Sequence, residues 1–365
     1  MAAEPTERIF GLDLARTAAI AGVLAIHFTA AASRLSDFPR FGFGSGVELF
    51  FALSGFLIGG LLIDIIDRGP NWRAWRVFMA RRWLRTVPLY LLWLVVLLVL
   101  LGPERDRAGT FLAYATFLQN LAWPMPRWFN VSWSLTVEEW FYLLFSAAVL
   151  PLGALLGRSA IPIAALAFIV VPLSLRFGFV DEVASPSAGM RKVVVFRLDA
   201  IAYGVFMIWL CRTFVASMHR WRWLLFALGA VMIAASNWPD YFVTGRSVVV
   251  VRLTLLPLGF ALMLPAARSL VSAPPVLIAP IRWVSERAYG MYVVHTSLMA
   301  MALTAAGGSW KAALFGLALA FVGTFLLADL SWRYFEKPIL RLRPRQSIAP
   351  PPAADAVAEA RAGPS

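Results

Sequence analysis

Runs of about 20 residues with almost no charge recur along this chain, and that recurrence constrains its fold more than any other feature. A helix rises 1.5 Å per residue, so about 20 apolar residues cross a hydrocarbon core of ~30 Å while satisfying their own backbone hydrogen bonds. Apolar runs bounded by charges, Pro or Gly give ten segments: 9–32, 46–66, 83–102, 132–156, 160–179, 193–211, 222–237, 247–267, 286–306 and 310–333. Of the 365 residues, 60% are hydrophobic and 15% charged. A soluble domain would carry roughly a quarter charged residues. The expected fold is all-α, a multi-pass transmembrane helical bundle of about ten spans. It forms one membrane domain, residues 1–345, followed by a Pro/Ala-rich tail, 346–365, that reads as disordered. The stretch 103–131 is expected to be a long outer loop with a partly embedded helix at 110–122.

Cations set the expected orientation. With the N-terminus inside, the cytoplasmic connections carry Arg68, Arg73, Arg76, Arg81, Arg82 and Arg85, then Arg158, then Arg212, Arg220 and Arg222, then Arg268, Arg282 and Arg287. The C-terminal segment adds Arg333, Lys337, Arg341, Arg343 and Arg345. The opposite side has fewer cations, diluted by Asp37, Glu104, Asp106, Asp181, Glu182 and Asp240. The positive-inside rule then puts both termini in the cytoplasm and the protein in the cell (inner) membrane. A cleaved signal peptide ending near Ala30 and Ala32 is the weaker reading of the first segment, because that apolar stretch is long and holds Arg16 and His27. The net charge of +13 belongs to the cytoplasmic Arg excess, so no nucleic acid partner is expected. A lone cysteine, Cys211, and scattered histidines at 27, 219 and 295 offer no disulfide framework and no metal site.

Ionisable groups inside spans are costly and usually face a cavity, so their positions carry the functional information. Arg16 and His27 are eleven residues apart. Eleven steps of ~100° close to within ~20° of three turns, so both project from one helical face, separated by ~16 Å. Asp13 lies near the same face, three residues before Arg16. A snorkelling Arg16 and an interfacial His27 are the alternative. From the outer side come Glu48 and Ser54, the pair Glu138 and Glu139, Arg197 and Asp199, and Arg252. A neutral imidazole beside a carboxylate is the arrangement of a general base, so His27 oriented by Glu48 or Glu139 is the expected catalytic group. Each of these acids could instead form a structural ion pair with Arg197 or Arg252. Asp13, Ser54, Arg197, Asp199, Arg252 and His295 are candidate substrate contacts, and His295 reads equally well as a second base or a core histidine. Arg81, Arg82 and Arg85 suit either a phosphate grip or a lipid-facing topology anchor. Trp123, Trp128 and Trp133 read first as an interfacial belt, with sugar stacking as the alternative. No GxSxG elbow or cysteine nucleophile stands out.

Several segments together resemble the acyltransferase-3 family of integral membrane acyltransferases. LDLARTAAIAGVLAIH (12–27) matches its opening Arg, ten residues, then His, and GVELFFALSGFLI (46–58) matches its second element with Glu48 in place of the usual Asp. Arg81, Arg82, Arg85, Pro88 and Tyr90 match the basic element that follows. LQN (118–120), WSLTVEEWFY (133–142), RLDA (197–200), YGMYVVH (289–295) and YFEKPI (334–339) complete the series. The resemblance implies transfer of an acyl group, most often acetyl from acetyl-CoA, to a hydroxyl of a carbohydrate or lipid-linked glycan. It also implies that Arg16 and His27 are essential and that Arg81, Arg82 and Arg85 bind the donor. Larger members add an SGNH-type domain after the last span, whereas here a short tail follows. The expected transfer therefore ends in the membrane domain or passes to a separate extracytoplasmic protein, and a homo-oligomer stays open. The rival readings are a transporter or flippase of a glycan or lipid intermediate, and a structural anchor.

Overall fold

The computed structural model describes residues 8–36, 46–101, 107–126, 128–183, 187–237 and 246–344. Asp37, Glu104, Asp106, Asp240, Arg345 and the tail 346–365 lie outside the described residues. Among the described residues there is no strand. The helices are α1 (Phe10–Ala32), α2 (Gly46–Asp67), α3 (Trp72–Leu101), α4 (Arg107–Ala115), α5 (Ser132–Leu156) and α6 (Ala160–Phe179), then α7 (Asp199–Thr213), α8 (Val215–Ser236), α9 (Arg246–Ser269), α10 (Pro275–Ala305), α11 (Trp310–Ser331) and α12 (Lys337–Arg341). Six stretches are long and apolar enough to cross a membrane: Phe10–Ala32, Gly46–Asp67, Trp72–Leu100, Ser132–Phe179, Val248–Ser269 and Trp310–Arg341. The protein is an all-helical integral membrane protein. The Ser132–Phe179 stretch is two helices, α5 and α6, because Gly157 adopts φ +56, a backbone conformation glycine takes without steric cost, and ends α5 there. Exposed apolar side chains such as Val99, Leu155, Val231 and Phe315 stud the outer faces, as hydrocarbon solvent requires.

Helices α7 and α8 start six residues later and seven earlier than the sequence expectation, and three other boundaries differ for a local reason. Helix α3 starts at Trp72, eleven residues before the apolar run, since Asn71 Oδ1 caps the Ala74 amide at 2.9 Å just after the Gly69–Pro70 turn. Its 30 residues span ~45 Å, and the arginines at 81, 82 and 85 sit on the helix itself rather than on a connection leading into it. Helix α10 begins at Pro275, a proline in the first turn, where a missing N–H costs nothing. The embedded helix expected at 110–122 runs instead over Arg107–Ala115 and closes through Phe117 at φ +58. That residue stacks on Tyr90 with ring centroids 4.7 Å apart, and the contact offsets the cost of a left-handed non-glycine backbone.

Small residues let the site-bearing helices approach closely. A Cβ on Gly55 would fall 1.9 Å from the Ile201 carbonyl oxygen, and one on Gly204 would fall 2.0 Å from that of Ala52, so α2 and α7 meet backbone to backbone. Gly55 faces Ile201 and Gly59 faces Val205, which makes the two helices parallel. Helices α1 and α10 are parallel as well: Asp13 meets Ser285 at one end and His27 meets His295 further along. The end of the bundle where α1 and α10 begin and α2 finishes is called basal below.

A buried chain of charges joins α2, α6, α7 and α9 at the opposite end. Arg176 grips both Asp199 oxygens at 2.8 and 2.7 Å and also donates to the Phe196 carbonyl and Thr254 Oγ1. Arg197 pairs with Glu48, and all four side chains are 0% exposed. Each cation has a carboxylate and further acceptors, the condition under which buried charge is tolerated.

Candidate active site

Two cavities meet along the axis enclosed by α1, α2, α3, α5 and α10. The basal chamber, about 680 Å³, is lined by Arg8, Arg16, Arg85, Arg212, Arg268 and Arg343, with Asp13, Asp64, Glu286 and Glu336 between them. The upper cavity, about 110 Å³, is walled on one side by Val47, Phe50, Phe51, Leu53 and Leu57. Its polar wall holds Arg16, Arg82, Arg85, Thr86, Ser54, Ser134, Glu138, Tyr142, Tyr289 and Tyr292. Arg16, Leu57, Arg85 and Tyr289 border both spaces and form the neck between them.

The basal arginines are held by a few acids. Asp13 accepts from Arg8 at 2.6 and 3.1 Å, from Arg16 at 3.3 Å and from Ser285 Oγ at 2.7 Å, so one carboxylate orients two guanidinium groups. Arg16 also donates to Ser285 Oγ at 3.1 Å. Arg8 reaches Glu286 as well, at 2.6 Å. Partial burial alone would lower its pKa, but Asp13 and Glu286 outweigh that and raise it. At the mouth of the chamber the balance reverses: burial, then repulsion from Arg85, Arg82 and Arg81, draws Arg343 down to about 10. Such a concentration of positive charge is stabilised by a multiply charged anion. Arg82 and Arg85, one turn apart, line the upper cavity, and both also line a side pocket with Arg81 and Arg343, where Arg81 donates to the Pro344 carbonyl at 2.8 Å.

In the upper cavity a polar chain runs from α2 to α5. Tyr142 donates to Glu138 Oε2 at 2.9 Å and shares a short hydrogen bond with Ser54 Oγ. Glu138, not Glu139, faces the cavity. Glu139 turns to α3, where Thr86 Oγ1 donates to it at 2.6 Å. Successive helical residues diverge by ~100°, and here that rotation turns Glu138 to the cavity and Glu139 to Thr86.

The imidazole of His27 meets neither of the carboxylates expected to orient it. Glu48 is paired with Arg197 and lies 3.4 Å from Arg191, and Glu139 is on Thr86. Instead His27 Nδ1 lies 2.9 Å from His295 Nε2, with the ring centroids 5.0 Å apart and the ring planes inclined by 24°. His295 is fully buried and its Nδ1 lies 2.7 Å from the Tyr292 carbonyl oxygen and 3.2 Å from that of Met291. His27 is half-buried. Neither histidine lines the two cavities, and Tyr292, which does, stands 5.8 Å from the His295 ring. Its hydroxyl is tied to Ser134 Oγ at 2.6 Å and the Val131 carbonyl at 3.0 Å. Arg16 thus lines the upper cavity and His27 does not, and Tyr292 is the lining residue in ring contact with His295. Asp199 and Arg197 belong to the buried charge chain, and half-buried Arg252 on α9 borders neither cavity.

Several site residues were not singled out from sequence. Ser134 and Tyr142 stand four residues either side of Glu138 and therefore share its helical face, a signal that was present in the sequence. Arg8, Ser285 and Arg343 join the basal chamber through tertiary proximity alone. Among the described residues no group of three or more His, Cys, Asp or Glu could hold a metal.

An arginine-lined chamber thus adjoins a hydroxyl- and carboxylate-lined cavity inside a helical membrane bundle, and the class of enzyme follows from the family to which the chain belongs. The chain belongs to the acyltransferase-3 family, an acyltransferase domain that matches residues 9–333. Two relatives are each 24% identical over 90% of this chain. One is YrhL of Bacillus subtilis strain 168, named provisionally as a peptidoglycan O-acetyltransferase, and the other is the peptidoglycan O-acetyltransferase OatA of Listeria monocytogenes serovar 1/2a. The alignments cover 54% and 55% of those proteins, so the chain spans about half their length. No solved structure matches the chain.

Proposed function

We propose that this protein transfers an acyl group, acetyl in the simplest case, from a cytosolic acyl-CoA to a hydroxyl of a carbohydrate-type acceptor beyond the membrane. The observation that carries the reading is the pair of adjoining cavities that share Arg16 and Arg85 in their linings. Phosphates of the donor would rest among the guanidinium groups of the basal chamber, the thioester arm would pass the neck, and the acyl group would enter the upper cavity beside Ser54, Arg82 and Tyr142. His27 acts as general base on the acceptor hydroxyl, and Tyr292 moves aside as the acyl group passes from the cavity to the acceptor. Ten helices of 15 residues or more, one over each sequence segment, support ten spans with both termini cytoplasmic in the cell (inner) membrane. The relatives' names favour a peptidoglycan or other surface glycan as acceptor, reached directly or through a separate extracytoplasmic protein.

The test uses membrane vesicles from cells carrying the full chain, supplied with labelled acetyl-CoA. Label should appear as base-labile ester on glycan, and His27→Ala should remove it while the protein still accumulates in the membrane. Glycan transport without consumption of acetyl-CoA would instead identify a flippase.

A further inference from the structure

The hydrogen bonds around the two histidines leave a single neutral protonation pattern. A backbone carbonyl can only accept, so His295 Nδ1, 2.7 Å from the Tyr292 oxygen and 3.2 Å from that of Met291, must carry a proton. A neutral imidazole has one N–H, so His295 Nε2 presents a lone pair. The atom facing it at 2.9 Å, His27 Nδ1, must then be the donor. By the same rule His27 Nε2 is left unprotonated, and it forms no hydrogen bond with any described residue. Burial enforces the pattern: His295 is 0% exposed, so no water can replace the carbonyls or the partner ring.

We propose that His295 is a positioning residue, which holds His27 in the Nδ1–H tautomer and so presents Nε2 as the nitrogen that removes the acceptor's proton. This rests on His27 being the base. In the step, the acceptor oxygen forms a bond to the thioester carbon, its proton moves to His27 Nε2, the carbon–sulfur bond breaks and CoA leaves as thiolate. The proton then passes from Nε2 to the thiolate or to solvent. Throughout, the Nδ1–H bond to His295 remains in place and spreads the positive charge of the imidazolium. A carboxylate does this work in the serine hydrolase triad, where disturbing the tautomer costs as much as ~10⁴ in rate. A neutral histidine anchored to backbone carbonyls does it here without placing a negative charge in the bilayer.

Two measurements test the assignment. Nitrogen-15 NMR of the purified full chain labelled at histidine, with His27→Ala used to assign the signals, should show a protonated Nδ1 and an unprotonated Nε2 on His27. The reverse tautomer overturns the proposal whatever the activity. In the vesicle assay, His295→Leu should lower transfer by about 100-fold or more. His295→Gln, whose amide oxygen can take the place of Nε2 as acceptor, should recover to within ~10-fold of the wild type. Equal activity of His295→Leu and wild type, with His27→Ala inactive, would sink the positioning role and leave the base in place. An active His27→Ala would instead sink the reading beneath it, while the NMR signals still decide the tautomer. If His295→Leu does not accumulate, His295→Gln and the wild-type spectrum carry the test.

Discussion

Arg81 and Arg85 are one helical turn apart, yet they do different things. Arg85 stands at the neck between the cavities, while Arg81 is spent on the Pro344 carbonyl. Replacing Arg85 by Ala removes charge-assisted hydrogen bonds, each worth ~1.5–3 kcal/mol, so the KM for acetyl-CoA should rise by about 10- to 100-fold. Arg81→Ala should change it by less than about threefold, and Arg85→Lys should recover only part of the loss because a point charge does not replace a planar fork. Initial-rate kinetics in vesicles check all three. The same phase sensitivity separates Glu138 from Glu139. The doubled acid was legible in the sequence, but the choice between them needed the packed position of α5, because a helix read alone has no outside reference for its rotation.

At the scale of the element, sequence periodicity and capping chemistry explain most of what formed. Each expected apolar segment became a helix, and three of the moved boundaries trace to Asn71, Pro275 and Phe117, whose local chemistry acts over one turn. Packing between elements depends on a few glycines. Gly204→Val would drive its side chain into the Ala52 carbonyl, where even a Cβ would stand 2.0 Å away, and force α2 from α7. Overpacking of this kind usually costs ~1–3 kcal/mol and more when the obstacle is backbone. We expect a lower Tm in detergent and reduced accumulation, whereas the same change at Gly178, which has nothing within 4 Å, should leave Tm nearly unchanged.

For the whole molecule, the buried charge chain far from the basal chamber acts as a fastener between four helices. Arg176→Met leaves Asp199 without its main cation in a fully buried site, so a loss of ~3–5 kcal/mol is expected. Adding Asp199→Leu should return much of that stability, since an apolar pair of similar volume is often neutral there. Thermal unfolding of the two variants measures the difference. From the sequence Arg197 and Asp199 read as substrate contacts or ion-pair members alike; the fold made them ion pairs, with Arg176, which the sequence did not single out, as the partner of Asp199. Local order along one chain was enough to determine the helices, the shared face of Arg16 and His27 and the family, because periodicity and motif spacing are properties of neighbours. The choice of His295 over Glu48 as the partner of His27 and the tie of Arg81 to the Pro344 carbonyl came only from the tertiary structure. Those contacts join residues as many as 268 positions apart, and their geometry is set by how helices rotate and slide against one another.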